Sequence, residues 1–215
     1  MRSFGLVLAL LPLGGCSLAV FDQVRGSGVM KTESRKASGF TSVVGVGSEE
    51  IVIQVGKPFA VTVTGDDNIV PLIETKVQGT TLRVGGKSNY STKKGVRVTV
   101  SMPSLASMRL LGSGTMSATG LAAKNLDIVL DGSGRMSATG RVDSLKSELN
   151  GSGEIDLTKR GVSSEDLVLA GSGRMRADGR DRLDATIAGS GEIVYRGTPK
   201  VNQSVTGSGA IRRER

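Results

Sequence analysis

Between residues 107 and 213, apolar and polar positions alternate with a period of two, and the triplet Gly-Ser-Gly breaks the alternation at near-regular intervals. The triplets begin at Gly112, Gly132, Gly151, Gly171, Gly189 and Gly207, so they are 20, 19, 20, 18 and 18 residues apart. Two residues before each triplet stand Leu110, Leu130, Leu149, Leu169, Ile187 and Val205. Two residues after it stand Met116, Met136, Ile155, Met175, Ile193 and Ile211, and two further on Ala118, Ala138, Leu157, Ala177, Tyr195 and Arg213. Residues two apart on a strand share a face, so the apolar residues on both sides of the triplet point the same way across a bend. The pattern predicts a strand–turn–strand coil repeated along the chain: an all-β solenoid with 18–20 residues per coil. Neighbouring coils would pair in parallel at ~4.8 Å, with like residues stacked into ladders. The corners are assigned to Gly112, Gly114, Gly132, Gly134, Gly151, Gly153, Gly171, Gly173, Gly189, Gly191, Gly207 and Gly209. Glycine on either side of serine permits positive φ without a Cβ clash.

The residue following each triplet runs Thr115, Arg135, Glu154, Arg174, Glu192, Ala210. Stacked, the four central members alternate in sign, which supports the register and needs no ligand. The preceding half is less regular. Strands are expected at Ser42–Val46, Glu50–Val55, Ala60–Thr64, Thr81–Val84 and Val96–Ser101, with a polar loop from Lys87 to Gly95. Gly65-Asp66-Asp67-Asn68 reads as a turn, with Asp67 or Asn68 as N-cap of one or two helical turns over Ile69 to Glu74. These irregular coils are expected to start and cap the array.

Three features together resemble one known family. They are Gly39-Phe40 before an alternating strand, Gly65-Asp66-Asp67-Asn68 followed by Pro71-Leu72-Ile73, and Val98 to Leu105 leading into the repeated triplets. The chain resembles the GIN domain, the head domain of auto-transporter adhesins, over roughly residues 33–211. The resemblance implies a right-handed parallel β-helix in secreted or surface lipoproteins, and it carries no catalytic residues with it.

The N-terminus reads as an address. Arg2 precedes an apolar run from Phe4 to Leu13, too short to span a bilayer, which ends in Leu13-Gly14-Gly15-Cys16. This resembles the lipobox of bacterial lipoproteins, and it implies a signal peptide over 1–15 and acylation, palmitate included, at Cys16. Ser17 rather than Asp after the cysteine implies outer-membrane sorting. A tether over 16–32 would lead into a domain at 33–215. The alternative is an ordinary secretory signal with an accidental cysteine.

Composition narrows the chemistry. Glycine numbers 31 with only 5 prolines and no collagen period, and aromatics are 3%, so the core must be built from aliphatic residues and methionine. There is no histidine, which removes the commonest general base and metal ligand. Cys16 is the single cysteine, so once acylated it leaves no thiol for zinc or for nucleophilic catalysis. Six triplets without a following lysine speak for architecture rather than phosphate binding. Ser91-Thr92-Lys93-Lys94 fits S-x-x-K by letter but lacks its companion motifs. Asp66 and Asp67 suit a turn better than calcium, and Asp178 and Asp181 form no glycosidase-like pair. No catalytic residue, metal or cofactor is therefore expected.

The net charge of +8 favours anionic partners such as acidic glycan or lipopolysaccharide, while export argues against nucleic acid. From Arg174 to Arg215 nine basic residues face five acidic ones. Arg212, Arg213 and Arg215 are candidate contacts for such a ligand, or alternatively a charged cap on the last coil. The expectation is a lipid-anchored, non-catalytic adhesive or scaffolding module. A cryptic β-helix hydrolase or lyase acting on envelope polysaccharide is the alternative.

Overall fold

A strand with one apolar face must bury it, and here each coil buries its face against the coils above and below as well as across the bend. The computed structural model describes residues 23–159 and 162–214. They form two long parallel rows of strands joined by the corners. The first row stacks Thr81–Gly86, Ser42–Gly47 and Ser107–Gly112. It continues through the second halves of Thr115–Gly132 and Arg135–Gly151, then Val162–Gly171, the end of Arg174–Gly189, and Lys200–Gly207. The second row stacks Arg97–Met102, Glu50–Val55, the first halves of Thr115–Gly132 and Arg135–Gly151, Glu154–Lys159, the start of Arg174–Gly189, Glu192–Arg196 and Ala210–Arg213.

The register follows the sequence repeat. Gly112, Gly132, Gly151, Gly171, Gly189 and Gly207 are consecutive Cα partners. Leu110, Leu130, Leu149, Leu169 and Ile187 stack as one buried column, and Met116, Met136, Ile155, Met175 and Ile193 as a second. On the last coil Val205 is exposed and Ile211 half-buried. Each fully buried side chain in these columns contributes ~1.5–3 kcal/mol of transfer free energy.

The two glycines of each triplet are needed for different reasons. The first has positive φ throughout the repeat, from 115° at Gly207 to 137° at Gly132. A β-carbon there would also strike the preceding coil, at 2.3 Å from the Gly132 carbonyl oxygen in the case of Gly151. The second glycine does not have positive φ, contrary to the expectation for Gly114, Gly134, Gly153, Gly173, Gly191 and Gly209. Close approach excludes a side chain there instead: a β-carbon on Gly153 would lie 2.6 Å from the Gly134 oxygen and 2.7 Å from a Leu130 methyl. The closeness comes from hydrogen bonding. Ser152 and Gly153 both donate their backbone N–H to the Gly132 carbonyl at 3.1 Å, and the same fork recurs where Ser113 and Gly114 reach Gly47, and Ser172 and Gly173 reach Gly151.

At the other end, coil order departs from chain order. Ser42–Gly47 lies between Thr81–Gly86 and Ser107–Gly112, so the chain lays the second coil first, adds the outermost coil beyond it, and then returns to continue the stack. Antiparallel strands close this end. Ile73–Gln78 pairs with Thr81–Gly86, Ala60–Asp66 pairs with Arg97–Met102, and Met30–Arg35 pairs with Ala60–Asp66. Of these, Met30–Arg35 and Ile73–Gln78 were not among the expected strands. The expected helical turns reduce to a 3-10 turn over Val70–Leu72, where Ile69 occupies the N-cap and no side chain caps it.

Substituting valine at Gly151 should therefore cost several times the ~1 kcal/mol of an ordinary point change, because φ and the Gly132 carbonyl both exclude it. Valine at Gly153 should cost a comparable amount through the clash alone. Alanine at the exposed Ser152 should stay within about 0.5 kcal/mol of the parent. Thermal unfolding followed by β-type circular dichroism compares the three, and equal stability for all of them would contradict the corner geometry.

Candidate functional site

The corners leave a shallow groove along the stack, about 430 Å³ in volume, with Ser113, Ser133, Ser152, Ser172 and Ser190 along it. The second glycine of each triplet is buried beneath, whereas each serine is exposed. The serine hydroxyls make no hydrogen bond with any described residue. They stand as a row of unused donor-acceptors at the inter-strand spacing of ~4.8 Å. The rim on the side following the triplets carries the charged column. Arg135 pairs with Glu154 at 3.0 Å, Arg174 with Glu192 at 2.9 Å, and Arg212 with Glu192 at 2.5 Å.

The column also extends past the repeat. Glu50 is the Cα partner of Thr115, and Arg97 that of Glu50, with an ion pair of 2.8 Å between Arg97 and Glu50. Such exposed pairs add little to stability, so their main effect is to specify register. At the same end Gly47-Ser48-Glu49 takes the corner position of the triplet, since Gly47 is the partner of Gly112. Glu49 is buried and accepts a 2.8 Å hydrogen bond from the Tyr90 hydroxyl. Burial, with the Glu49 carboxylate beside it, holds the Tyr90 phenol well above its ordinary range. Tyr90, from the Lys87–Gly95 loop, thus covers this corner and lines a separate cavity with Ser48 and Glu49, and the replacement of the second glycine by Glu49 explains why the sequence repeat did not reveal it.

The predicted contact residues are distributed unevenly. Arg212 is bound into the charged column through Glu192, and Arg213 is exposed on the last coil. Arg215 and Cys16 lie outside the described residues. The Asp66–Asn68 turn has a role that its sequence did not suggest. Asp66 accepts from the Gly28 backbone N–H and the Thr92 hydroxyl, Asn68 accepts from the Ser27 N–H and donates to the Arg25 carbonyl, and Ser27 donates to Asp67. The turn clamps the segment that leads into the domain instead of capping a helix.

Glu192 in the groove is poorly suited to acid catalysis. Hydrogen bonding to Arg212 holds Glu192 below the usual carboxylate range, the opposite of what a general acid requires. The carboxyl with a raised pKa, Glu165, is fully buried. It stands in an otherwise apolar column of Leu126, Leu145, Glu165, Leu183 and Val201, out of reach of any substrate. Among the described residues no three metal-ligating side chains converge.

Residues 39–199 match a family described as "Putative auto-transporter adhesin, head GIN domain". Solved structures similar to the chain include an adhesin, so described as putative, from Bacteroides fragilis, at 21% identity over 89% of this chain and 100% of that one, with a TM-score of 0.68. A second, similarly described adhesin from Parabacteroides merdae is 21% identical over 90% and 100%, with a TM-score of 0.61. A protein from Parabacteroides distasonis described as a putative lipid binding protein is 23% identical over the same shares, with a TM-score of 0.57. At these identities the likeness shows the fold. No curated protein sequence matches the chain.

Glu165 makes the stability of the stack depend on pH. Burial raises its pKa from 4.5 to about 7, and the Asp178 backbone, too poorly placed for a proper hydrogen bond, offsets only part of this. Below about pH 4.5 the group is protonated whether the chain is folded or unfolded. As pH rises toward about 7, the unfolded chain releases the proton while the folded chain retains it, so stability falls across that window and levels off above it. The loss should be roughly 3 kcal/mol. Glu165→Leu, matching Leu145 and Leu183 in its column, should remove that pH dependence and raise stability at pH 8. Denaturant unfolding at pH 4.5 and pH 8 measures both effects, and a slope unchanged by the substitution would assign it to other groups.

Proposed function

The chain belongs to the GIN head-domain family of auto-transporter adhesins, and from that premise we propose that it is a membrane-anchored, non-catalytic adhesive module of the bacterial cell envelope. The observation that carries this reading is the corner groove, where five exposed serine hydroxyls repeat along one line beside a rim of paired arginine and glutamate. A row of identical hydrogen-bonding groups at a fixed step suits a linear polymer, which can engage several equivalent positions at once. A shallow, polar surface of this kind supports binding and lacks the enclosed, desolvated acid–base pair on which hydrolysis depends. The family description and the adhesin relatives point to the cell surface or envelope.

The finer reading places the protein on the outer membrane through an acyl chain on Cys16, with the groove facing an acidic glycan or lipopolysaccharide. The lipobox-like Leu13-Gly14-Gly15-Cys16 and the +8 charge support it. No helix among the described residues is long and apolar enough to cross a membrane. One acyl chain anchors only reversibly, and the multiple chains of a lipoprotein hold it durably.

Replacing Cys16 with alanine should abolish labelling by radioactive palmitate and release the protein from the membrane fraction. Unchanged retention would overturn the anchor. On anionic glycan arrays, simultaneous alanine substitution at Ser133, Ser152 and Ser172 should weaken binding on the order of a hundredfold, at ~1 kcal/mol for each of three hydrogen bonds removed. Neutralising Arg212, Arg213 and Arg215 should reduce the salt-sensitive part of the same binding. Serine variants that bind as well as the parent would rule out the groove.

A further inference from the structure

Among the described residues the large exposed apolar side chains are Val24, Val29, Met30 and Val205, and three of the four fall within seven residues of chain at the N-terminal end. Val29 is 60% exposed and Met30 44%. These residues are not on a loose tail. Val24 and Arg25 pair in parallel with Tyr90 and Ser91. The Asp66–Asn68 turn fastens Arg25 to Gly28 through the hydrogen bonds described above, and the Lys94 ammonium donates to the Gly28 carbonyl at 2.9 Å. The fold therefore expends several specific bonds to present apolar side chains to solvent, where a monomer gains nothing from them.

Cations flank the same segment. Arg25, Lys93 and Lys94 line one shallow cavity with it, and Arg25 and Lys93 are exposed. The nearby acids are already engaged: Asp66 is buried and Asp67 accepts from Ser27, while Glu33 pairs with Arg35 and Lys31. Apolar side chains beside exposed arginine and lysine are the composition that settles at the boundary of an anionic bilayer. The position fits as well. Only residues 17–22 separate Cys16 from Gln23, so an acylated Cys16 would keep this end within ~25 Å of the bilayer surface. The opposite end of the stack lies seven strand spacings away, about 34 Å farther along.

We infer that the N-terminal end of the solenoid is itself a membrane-docking face, with Val24, Val29 and Met30 entering the headgroup layer of an anionic phospholipid bilayer and Arg25, Lys93 and Lys94 meeting its phosphates. This rests on the anchor at Cys16 and adds to it a fixed orientation: the stack stands away from the surface and the serine groove runs outward. It also gives the Gly65-Asp66-Asp67-Asn68 motif a function, since that turn sets the geometry of the docking segment relative to the stack.

The test uses the lipidated mature protein, beginning at Cys16, reconstituted into vesicles of phosphatidylethanolamine with phosphatidylglycerol, and into vesicles of phosphatidylcholine alone. Recovery with floated vesicles reports the anchor. Acetylation of Lys93, compared by mass spectrometry with the exposed Lys200 on the last coil, reports docking. The expected result is recovery with both vesicle types, but at least tenfold slower acetylation of Lys93 only on phosphatidylglycerol. Val29→Asp with Met30→Asp should abolish that protection without loss of recovery. Should that pair disturb the fold, Arg25→Glu on the exposed surface is the second variant and should lessen protection. Protein that floats with vesicles while Lys93 reacts as fast as Lys200 overturns the docking face and leaves the anchor standing. Protein that floats with neither vesicle type overturns the anchor and the docking face together.

Discussion

At four consecutive corners of this stack the carbonyl of one first glycine, Gly47, Gly112, Gly132 or Gly151, accepts both the serine and the second-glycine N–H of the next coil, and at Gly171 and Gly189 one of the two bonds remains. That fork brings the backbones so close that a β-carbon on either glycine would lie within 2.7 Å of a carbonyl oxygen throughout the repeat. Every other regularity depends on this approach. It holds the rows at one strand spacing, aligns the leucine and methionine columns, and places the charged residues after the triplet directly above one another. A side chain at either glycine would push the coils apart and loosen all of these together.

The same approach accounts for the binding surface. With no side chains on the glycines, the serine between them is the only group that projects, and repetition turns a single exposed hydroxyl into a row. The groove ends where the corner departs from the rule, at Gly47-Ser48-Glu49, where Glu49 turns inward and Tyr90 covers it. Polar side chains are also tolerated inside the stack, at a cost. Ser147 and Glu165 occupy adjacent coils, each in a column otherwise filled mainly by aliphatic residues. Their side-chain oxygens make no hydrogen bond of good geometry. A desolvated carboxyl is best accommodated protonated, which ties the stability of these coils to pH.

The N-terminal end solves a different problem. A parallel stack leaves an unpaired edge open to further strands, and here antiparallel strands cover it. Laying the second coil before the outermost one lets the chain complete this cover early and then build outward in a single direction. The segment entering the domain is clamped to the cover, so an anchor on that segment would act on the whole stack as one body.

What the sequence by itself determined is everything that repeats locally. The period of the triplets, the phase of Leu110 and Met116 about them, and the alternating Arg135, Glu154, Arg174 and Glu192 each depend on neighbours one coil away at a nearly constant offset, and the strand Glu50–Val55 was legible from alternation alone. The buried position of Glu165 was also within reach, by carrying the phase of Leu145 and Leu183 through it. Only the tertiary structure decided the rest. Gly47 joins the glycine column through a partner 65 residues later, and Ser42–Gly47 sits between strands that follow it in the chain. Asp66 and Asn68 bind residues about 40 positions earlier. The second glycine of each triplet looked like a φ requirement because a sequence carries conformational preference but not distance. Periodic contacts write themselves into spacing, whereas a contact made once, between segments with no common period, leaves no pattern to read.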